Sequence, residues 1–129
     1  MRQGVDRLGS FMSASALTAL TESHAACRTA LFADLTTSMV LLSESRSRIH
    51  REAQQALALR GARLLSALDE AIPETDTAIS VSADEIAVFL RVADAPSDAL
   101  CCLCGPDIDL ESFAADARSC LNALAGVSG

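Results

Sequence analysis

Apolar residues recur along this chain at two different spacings, three to four residues in some segments and two in others. The first segment begins near Ser13, where a serine-rich start can cap a helix. Ala16, Leu17 and Leu20 then recur at helical intervals. The pattern therefore predicts a first helix from about residue 13.

Two short apolar runs follow this helix, at Arg28 to Leu35 and at Ser38 to Glu44. The polar Thr36-Thr37 step between them indicates a β-hairpin. Because the turn contains no glycine, a two-residue primed turn is disfavoured, and we expect a looser turn built on Asp34.

Helical spacing returns from Ser47 to about Ala71 and predicts the longest helix of the chain. Its apolar face consists of Ala53, Leu57, Gly61, Leu64 and Leu68, and its polar face carries Arg48, Glu52, Gln55 and Arg63. Gly61 costs about 1 kcal/mol relative to alanine in a helix, and it would permit another backbone to approach closely. Leu59 stands within the polar face and is a second hint of a partner.

The remainder of the chain predicts three strands and a closing helix. The strands are Thr77 to Ser82, Glu85 to Ala93 and Ala99 to Cys104, and the last is apolar on both faces and so expected at the centre of a sheet. Gly105-Pro106 ends that strand, and a helix with amphipathic spacing then runs to Leu124. The predicted fold is α+β, helix-strand-strand-helix-strand-strand-strand-helix, with a five-stranded, mostly antiparallel sheet flanked by helices.

The length of 129 residues fits one domain, which we place at residues 13–125, with an uncertain extension at 1–12 and a tail at 126–129. No continuous hydrophobic stretch indicates a signal peptide or a membrane span, so a cytoplasmic protein without membrane insertion is expected.

Charge is distributed unevenly along the chain. The net charge of −7 disfavours nucleic acid as a partner, because nucleic-acid-binding proteins usually present a basic face. Residues 46–63 nevertheless contain five arginines and one acid, whereas residues 69–116 contain twelve acids and one arginine. A basic segment on an acidic body could steer a charged protein partner, although solvated helix faces explain the same pattern.

Residues capable of catalysis or metal binding do not form a known motif. Of the three cysteines in one strand, only Cys102 and Cys104 share a face, and no second ligand pair with zinc spacing accompanies them. His24 and His50 are isolated in the sequence, and no phosphate-binding or nucleophile motif is present. We therefore expect buried, reduced thiols, no cofactor, no bound metal and no enzymatic activity.

The order of elements resembles the Roadblock (dynein light-chain) family, bacterial type. Three stretches carry this resemblance: Ala30 to Ser45 (ALFADLTTSMVLLSES) as the opening hairpin, Ser47 to Ala71 as the central helix, and Glu85 to Arg118 as the last strands, loop and closing helix. The family usually has glycine in the hairpin turn, where this chain has Thr36-Thr37. Profilin-like, longin and PAS or GAF domains share a related architecture and stay open as alternatives.

The resemblance implies a homodimer in which two central helices pack together and the third strands meet edge to edge. The predicted dimer interface consists of Leu57, Gly61, Leu64, Thr77, Ile79 and Val81. The resemblance also implies a non-catalytic interaction module that is a co-regulator or platform for a small Ras-like GTPase. From the basic segment and Leu59, the predicted partner-binding residues are Arg48, Arg51, Leu59, Arg60 and Arg63. An acidic secretion-type chaperone and a PAS-like small-molecule sensor are the alternative functions.

Overall fold

The computed structural model describes residues 15–92 and 95–128, so the predicted extension at residues 1–12 and the start of the first helix lie outside the described residues. Helix α1 covers residues 15–23 of the described part. The remaining elements are β1 (Cys27–Asp34), β2 (Met39–Ser45), α2 (Arg51–Ala71), β3 (Thr77–Val81), β4 (Ile86–Val92), β5 (Ala95–Cys104) and α3 (Leu110–Ser128). The predicted order of helices and strands is confirmed.

The five strands form one sheet in the order β2-β1-β5-β4-β3, and every neighbouring pair is antiparallel. β5 lies at the centre, as its apolar sequence predicted, because a strand covered on both faces needs apolar side chains on both. β2 and β3 are the two edge strands. Each therefore offers the backbone of one side for pairing.

Helices cover both faces of the sheet. Leu100 and Cys102 of β5 point to the face on which α1 and α3 lie, and they pack there with Phe113 and Leu121 of α3. Cys101 belongs to the opposite face, which α2 covers. This alternation along one strand follows from the two-residue period of β structure, and it produces a helix-sheet-helix sandwich with two separate cores.

The hairpin turn between β1 and β2 is built on Asp34, as predicted. The Thr36 amide donates a hydrogen bond of 2.9 Å to Asp34 Oδ1. Ser38 has a φ of 59°, a left-handed conformation that replaces the glycine of tighter turns. The register between the strands then shifts at Phe32/Ala33, which is a β-bulge.

Helix α2 begins at Arg51, four residues later than the predicted start at Ser47. Arg48 therefore precedes the helix, and its predicted position on the polar face was wrong. The residue before the helix, His50, has extended backbone angles and makes no side-chain capping hydrogen bond. Residues 47–50 instead form a non-helical connection between β2 and α2.

The loop between α2 and β3 is held by an arginine from the sheet. Arg91 in β4 donates from Nε to the Thr75 carbonyl at 2.6 Å, and its Nη2 lies 3.0 Å from Asp69 Oδ1 near the end of α2. The Thr75 amide in turn donates to Asp69 Oδ1 at 3.2 Å. These contacts determine where β3 begins relative to α2.

Candidate functional site

One side of α2 rests on the sheet of its own chain. A Cβ atom placed on Gly61 would lie 2.7 Å from Cδ1 of Phe89 and 3.2 Å from Sγ of Cys101. Leu57 is 6% exposed and Leu65 is fully buried in the same core. The close approach that Gly61 permits is thus with β4 and β5. Leu57 and Gly61, two residues of the predicted dimer interface, therefore contact the sheet of their own chain.

A flank of α2 forms a groove with the edge of the sheet. The groove has a volume of about 520 Å³ and is lined by Ala56, Leu59, Arg60, Arg63, Leu64, Ala67 and Ser80. Leu59 is 39% exposed although it is a large apolar side chain. The structure therefore brings together four of the predicted residues, Leu59, Arg60, Arg63 and Leu64, on one open surface.

Arg60 joins this groove to β3. Its Nη1 lies 3.0 Å from Glu85 Oε2, just before β4, and its Nη2 donates to Ser80 Oγ in β3 at 3.1 Å. Both charged groups are partly exposed, so the pair adds little to stability. The contacts with Glu85 and Ser80 instead fix the orientation of the Arg60 guanidinium beside β3.

A second, smaller groove lies farther around α2. It has a volume of about 420 Å³ and is lined by Ala62, Arg63, Ser66, Ala67 and Glu70. Arg63 and Ala67 line both grooves. Small side chains, Ala56, Ala62, Ser66 and Ala67, therefore line much of these two grooves, and small residues allow another helix to approach closely.

β3 is the edge strand next to α2, and it carries two exposed apolar side chains on the sheet face opposite α2. Val81 is 69% exposed and Ile79 is 40% exposed, whereas Ala78 is buried under α2. Ile79 and Val81 pair in register with Val88 and Ile86, so they lie on the face that α3 covers, beyond its margin. Exposed apolar residues on an edge strand without proline or lysine favour pairing with a further strand.

Thr77 at the start of β3 is held by the closing helix. Arg118 in α3 donates from Nη2 to Thr77 Oγ1 at 3.1 Å and to the Asp76 carbonyl at 3.1 Å. Its Nη1 donates to the Arg91 carbonyl at 2.9 Å. Thr77 therefore anchors the edge strand from within the chain.

The predicted basic residues divide into two groups. Arg60 and Arg63 line the groove, whereas Arg48 and Arg51 are exposed around the start of α2. Within residues 15–92 and 95–128, neither Arg48 nor Arg51 makes an ion pair. The sequence reasoning missed Ala56, Ala67 and Ser80, although Ala56 and Ala67 are spaced four residues from Arg60 and Arg63 and so share their helix face.

The cysteines of the described residues are buried, and none is part of a disulfide. Burial raises the pKa of Cys101 to about 12, so its thiol is neutral near neutral pH.

His24 follows directly after α1. Its Nε2 lies 2.7 Å from Oδ2 of Asp116, and its ring contacts the ring of Phe113 edge-on. These contacts connect the end of α1 to α3. In the part of the chain that the structure describes, no group of three or more His, Cys, Asp or Glu could hold a metal ion. Among the described helices, none combines the length and the apolar composition that a membrane span requires.

No protein-family model matches the sequence, and no curated protein sequence matches it. Solved structures do match the fold. The Roadblock/LC7 domain from Streptomyces avermitilis is 8% identical, with a TM-score of 0.74 over 88% of this chain and 94% of that one. The gliding protein MglB from Thermus thermophilus is 13% identical, with a TM-score of 0.76 over 89% and 87% of the two chains. An MglB structure with a tetrameric arrangement is also 13% identical, with a TM-score of 0.76 over 92% and 89%.

Proposed function

We propose that this chain, which has the Roadblock/LC7 fold, is a non-catalytic interaction module that forms a homodimer through α2 and β3 and docks a small Ras-like GTPase. The observation that carries the dimer is the coincidence of an unpaired apolar strand edge, Ile79 and Val81, with the groove around Leu59 on the adjoining helix. The likeness to MglB in a tetrameric arrangement supports self-association.

A two-fold axis beside β3 would satisfy both features at once. Antiparallel pairing of β3 with its copy would extend the sheet and use its unpaired backbone groups. Ile79 and Val81 would then lie beside the same residues of the second copy. On the other face of the sheet, the small residues Ala56 and Ala67 would let the second α2 approach, and Leu59 would fill the facing groove.

The interface proposed here differs in composition from the one predicted from the sequence. Leu59, Leu64, Ile79 and Val81 provide its apolar area, while Arg60 and Arg63 border it. Thr77 contributes by its position at the start of the pairing strand. Both grooves of α2 are open to solvent, which suits a macromolecular partner better than an enclosed small-molecule ligand.

The GTPase partner is proposed from the fold and from charge. Arg48 and Arg51 lie outside the groove of about 520 Å³ and stay exposed when the dimer forms, so each dimer would present two basic sites on an acidic body. Such sites attract an acidic protein surface and accelerate its association. We place this activity in the cytoplasm.

The two parts of the proposal are tested separately. Sedimentation equilibrium at micromolar concentration measures the dimer, and a monomer would overturn the first part. Binding is then measured by calorimetry with small Ras-like GTPases from the same organism, each loaded with either GDP or a non-hydrolysable GTP analogue. A dimer that binds neither form would retain the interaction module and overturn the GTPase assignment.

A further inference from the structure

Three buried cysteines, Cys27, Cys102 and Cys104, lie together on the face of the sheet covered by α1 and α3. Cys27 is the first residue of β1, and its partner in the register with β5 is Cys104. A shift in register after Cys27 turns its side chain to the same face as Ala30. The thiols of Cys27 and Cys104 therefore face each other across two adjacent strands.

The backbone hydrogen bonds define the type of this cross-strand pair. The Cys27 amide donates to the His24 carbonyl at 2.9 Å, and the Cys27 carbonyl accepts from Arg46 Nε at 2.9 Å. The ladder bond is made one residue farther along, from the Gly105 amide to the Ala26 carbonyl at 2.8 Å. Cys27 and Cys104 thus form a non-hydrogen-bonded pair, in which the Cα atoms are typically about 4.5 Å apart. A disulfide requires a Cα separation of about 4.4 to 6.8 Å.

We propose that Cys27 and Cys104 are a redox-active dithiol that hydrogen peroxide converts to an intramolecular disulfide. The sulfur of Cys27 attacks one oxygen of the peroxide, the O–O bond breaks, and a sulfenic acid forms with release of water. The sulfur of Cys104 then attacks the Cys27 sulfur, and the displaced hydroxyl leaves with the Cys104 proton as a second water. Two thiols are oxidised by two electrons in total, and one peroxide is reduced to two waters.

The surroundings assign the attacking sulfur. Hydrogen bonds from the thiols of Cys102 and Cys104, with the nearby charge of Arg46, lower the pKa of Cys27. For Cys104, a hydrogen bond with Cys27 and burial raise the pKa, so the resolving thiol stays protonated. Both residues are fully buried, so the reaction requires local opening. Cys27 lies next to the 24–26 connection at the end of the sheet, and opening of that connection would admit a molecule as small as peroxide.

Differential alkylation of the full chain tests this proposal. The native protein is treated with hydrogen peroxide, quenched and denatured, and its free thiols are blocked with N-ethylmaleimide. The disulfides are then reduced and labelled with iodoacetamide. Trypsin separates Cys27 from the cysteines of β5, and fragment sequencing distinguishes Cys101, Cys102 and Cys104 within one peptide. A parallel non-reducing gel shows whether copies are linked to each other.

The expected result is loss of two of the five free thiols, with the iodoacetamide label on Cys27 and Cys104 and no linkage between copies. The melting temperature should rise on oxidation and return after dithiothreitol. Cys104→Ala should abolish the protected pair, whereas Cys101→Ala, on the opposite face of the same strand, should retain it. Three results with the wild-type protein would each overturn the proposal: five free thiols after treatment, a disulfide to Cys102, or disulfides only between copies.

Discussion

Gly61 in α2 lies directly against the ring of Phe89 in β4, at a distance that leaves no room for a Cβ atom: the atom would be 2.7 Å from Cδ1. Phe89 is fully buried and held between strands, so its ring cannot move aside at low cost. The glycine therefore lets the helix lie close to the sheet. Leu59, two residues earlier in the same helix, lies on the outward side.

Replacing Gly61 should consequently destabilise the monomer fold. Gly61→Leu gains about 1 kcal/mol of helix propensity, but its Cβ alone would lie 2.7 Å from Cδ1 of Phe89, so the whole side chain should overpack the core by about 3 kcal/mol and the free energy of unfolding should fall by about 2 kcal/mol. Urea denaturation measures this change. The matched variant Ala53→Leu, exposed on the same helix, should leave the free energy of unfolding nearly unchanged. Equal stability of Gly61→Leu and the wild type would show that α2 does not rest on Phe89.

Arg91 should stabilise the loop that leads into β3. Arg91→Met removes the ion pair to Asp69 and the hydrogen bond to the Thr75 carbonyl, and the loss should be about 1–3 kcal/mol because Arg91 is only 15% exposed. Asp69→Asn keeps an amide oxygen near the same groups and should cost less. Thermal or urea unfolding compares the two variants, and a smaller cost for Arg91→Met would contradict the role assigned to its bond with Thr75.

Arg48 and Arg51 should affect partner binding without affecting the dimer. The double variant Arg48→Glu with Arg51→Glu reverses both exposed charges, and it should weaken GTPase binding at least tenfold and reduce the salt dependence of the association rate. The charge-conserving double variant Arg48→Lys with Arg51→Lys is the control and should retain most of the rate. Stopped-flow association at several salt concentrations provides the measurement. Equal rates for the Glu and Lys variants would remove these residues from the docking site.

The sequence predicted the architecture well because the signals were local. Alternation in Thr77 to Ser82 predicted a strand, and the run of apolar residues ending at Cys104 placed the central strand correctly. The edge position of β3 was implied by the family resemblance. The start of α2 was placed four residues early, since residues 47–50 continue the polar and apolar spacing of the helix yet form the bend and connection after β2.

The candidate site was predicted only in part because helical periodicity does not identify what each face contacts. It grouped Leu57, Gly61 and Leu64 on one side, but only the tertiary structure shows that the sheet covers Leu57 and Gly61 and leaves Leu64 beside the groove. Arg60 was singled out for its charge. Its contacts with Ser80 and Glu85 join residues that are far apart in sequence, and no local pattern indicates them.

The homodimer is tested most directly by sedimentation equilibrium of Val81→Arg beside Met39→Arg. Both variants place the same charge at an exposed apolar position on an edge strand, since Val81 is 69% and Met39 is 56% exposed, but only Val81 lies on β3. We predict a micromolar or tighter dimer for the wild type and for Met39→Arg, and a dissociation constant at least tenfold higher for Val81→Arg. A monomeric wild type, or a dimer that Met39→Arg disrupts and Val81→Arg does not, would contradict the α2–β3 interface.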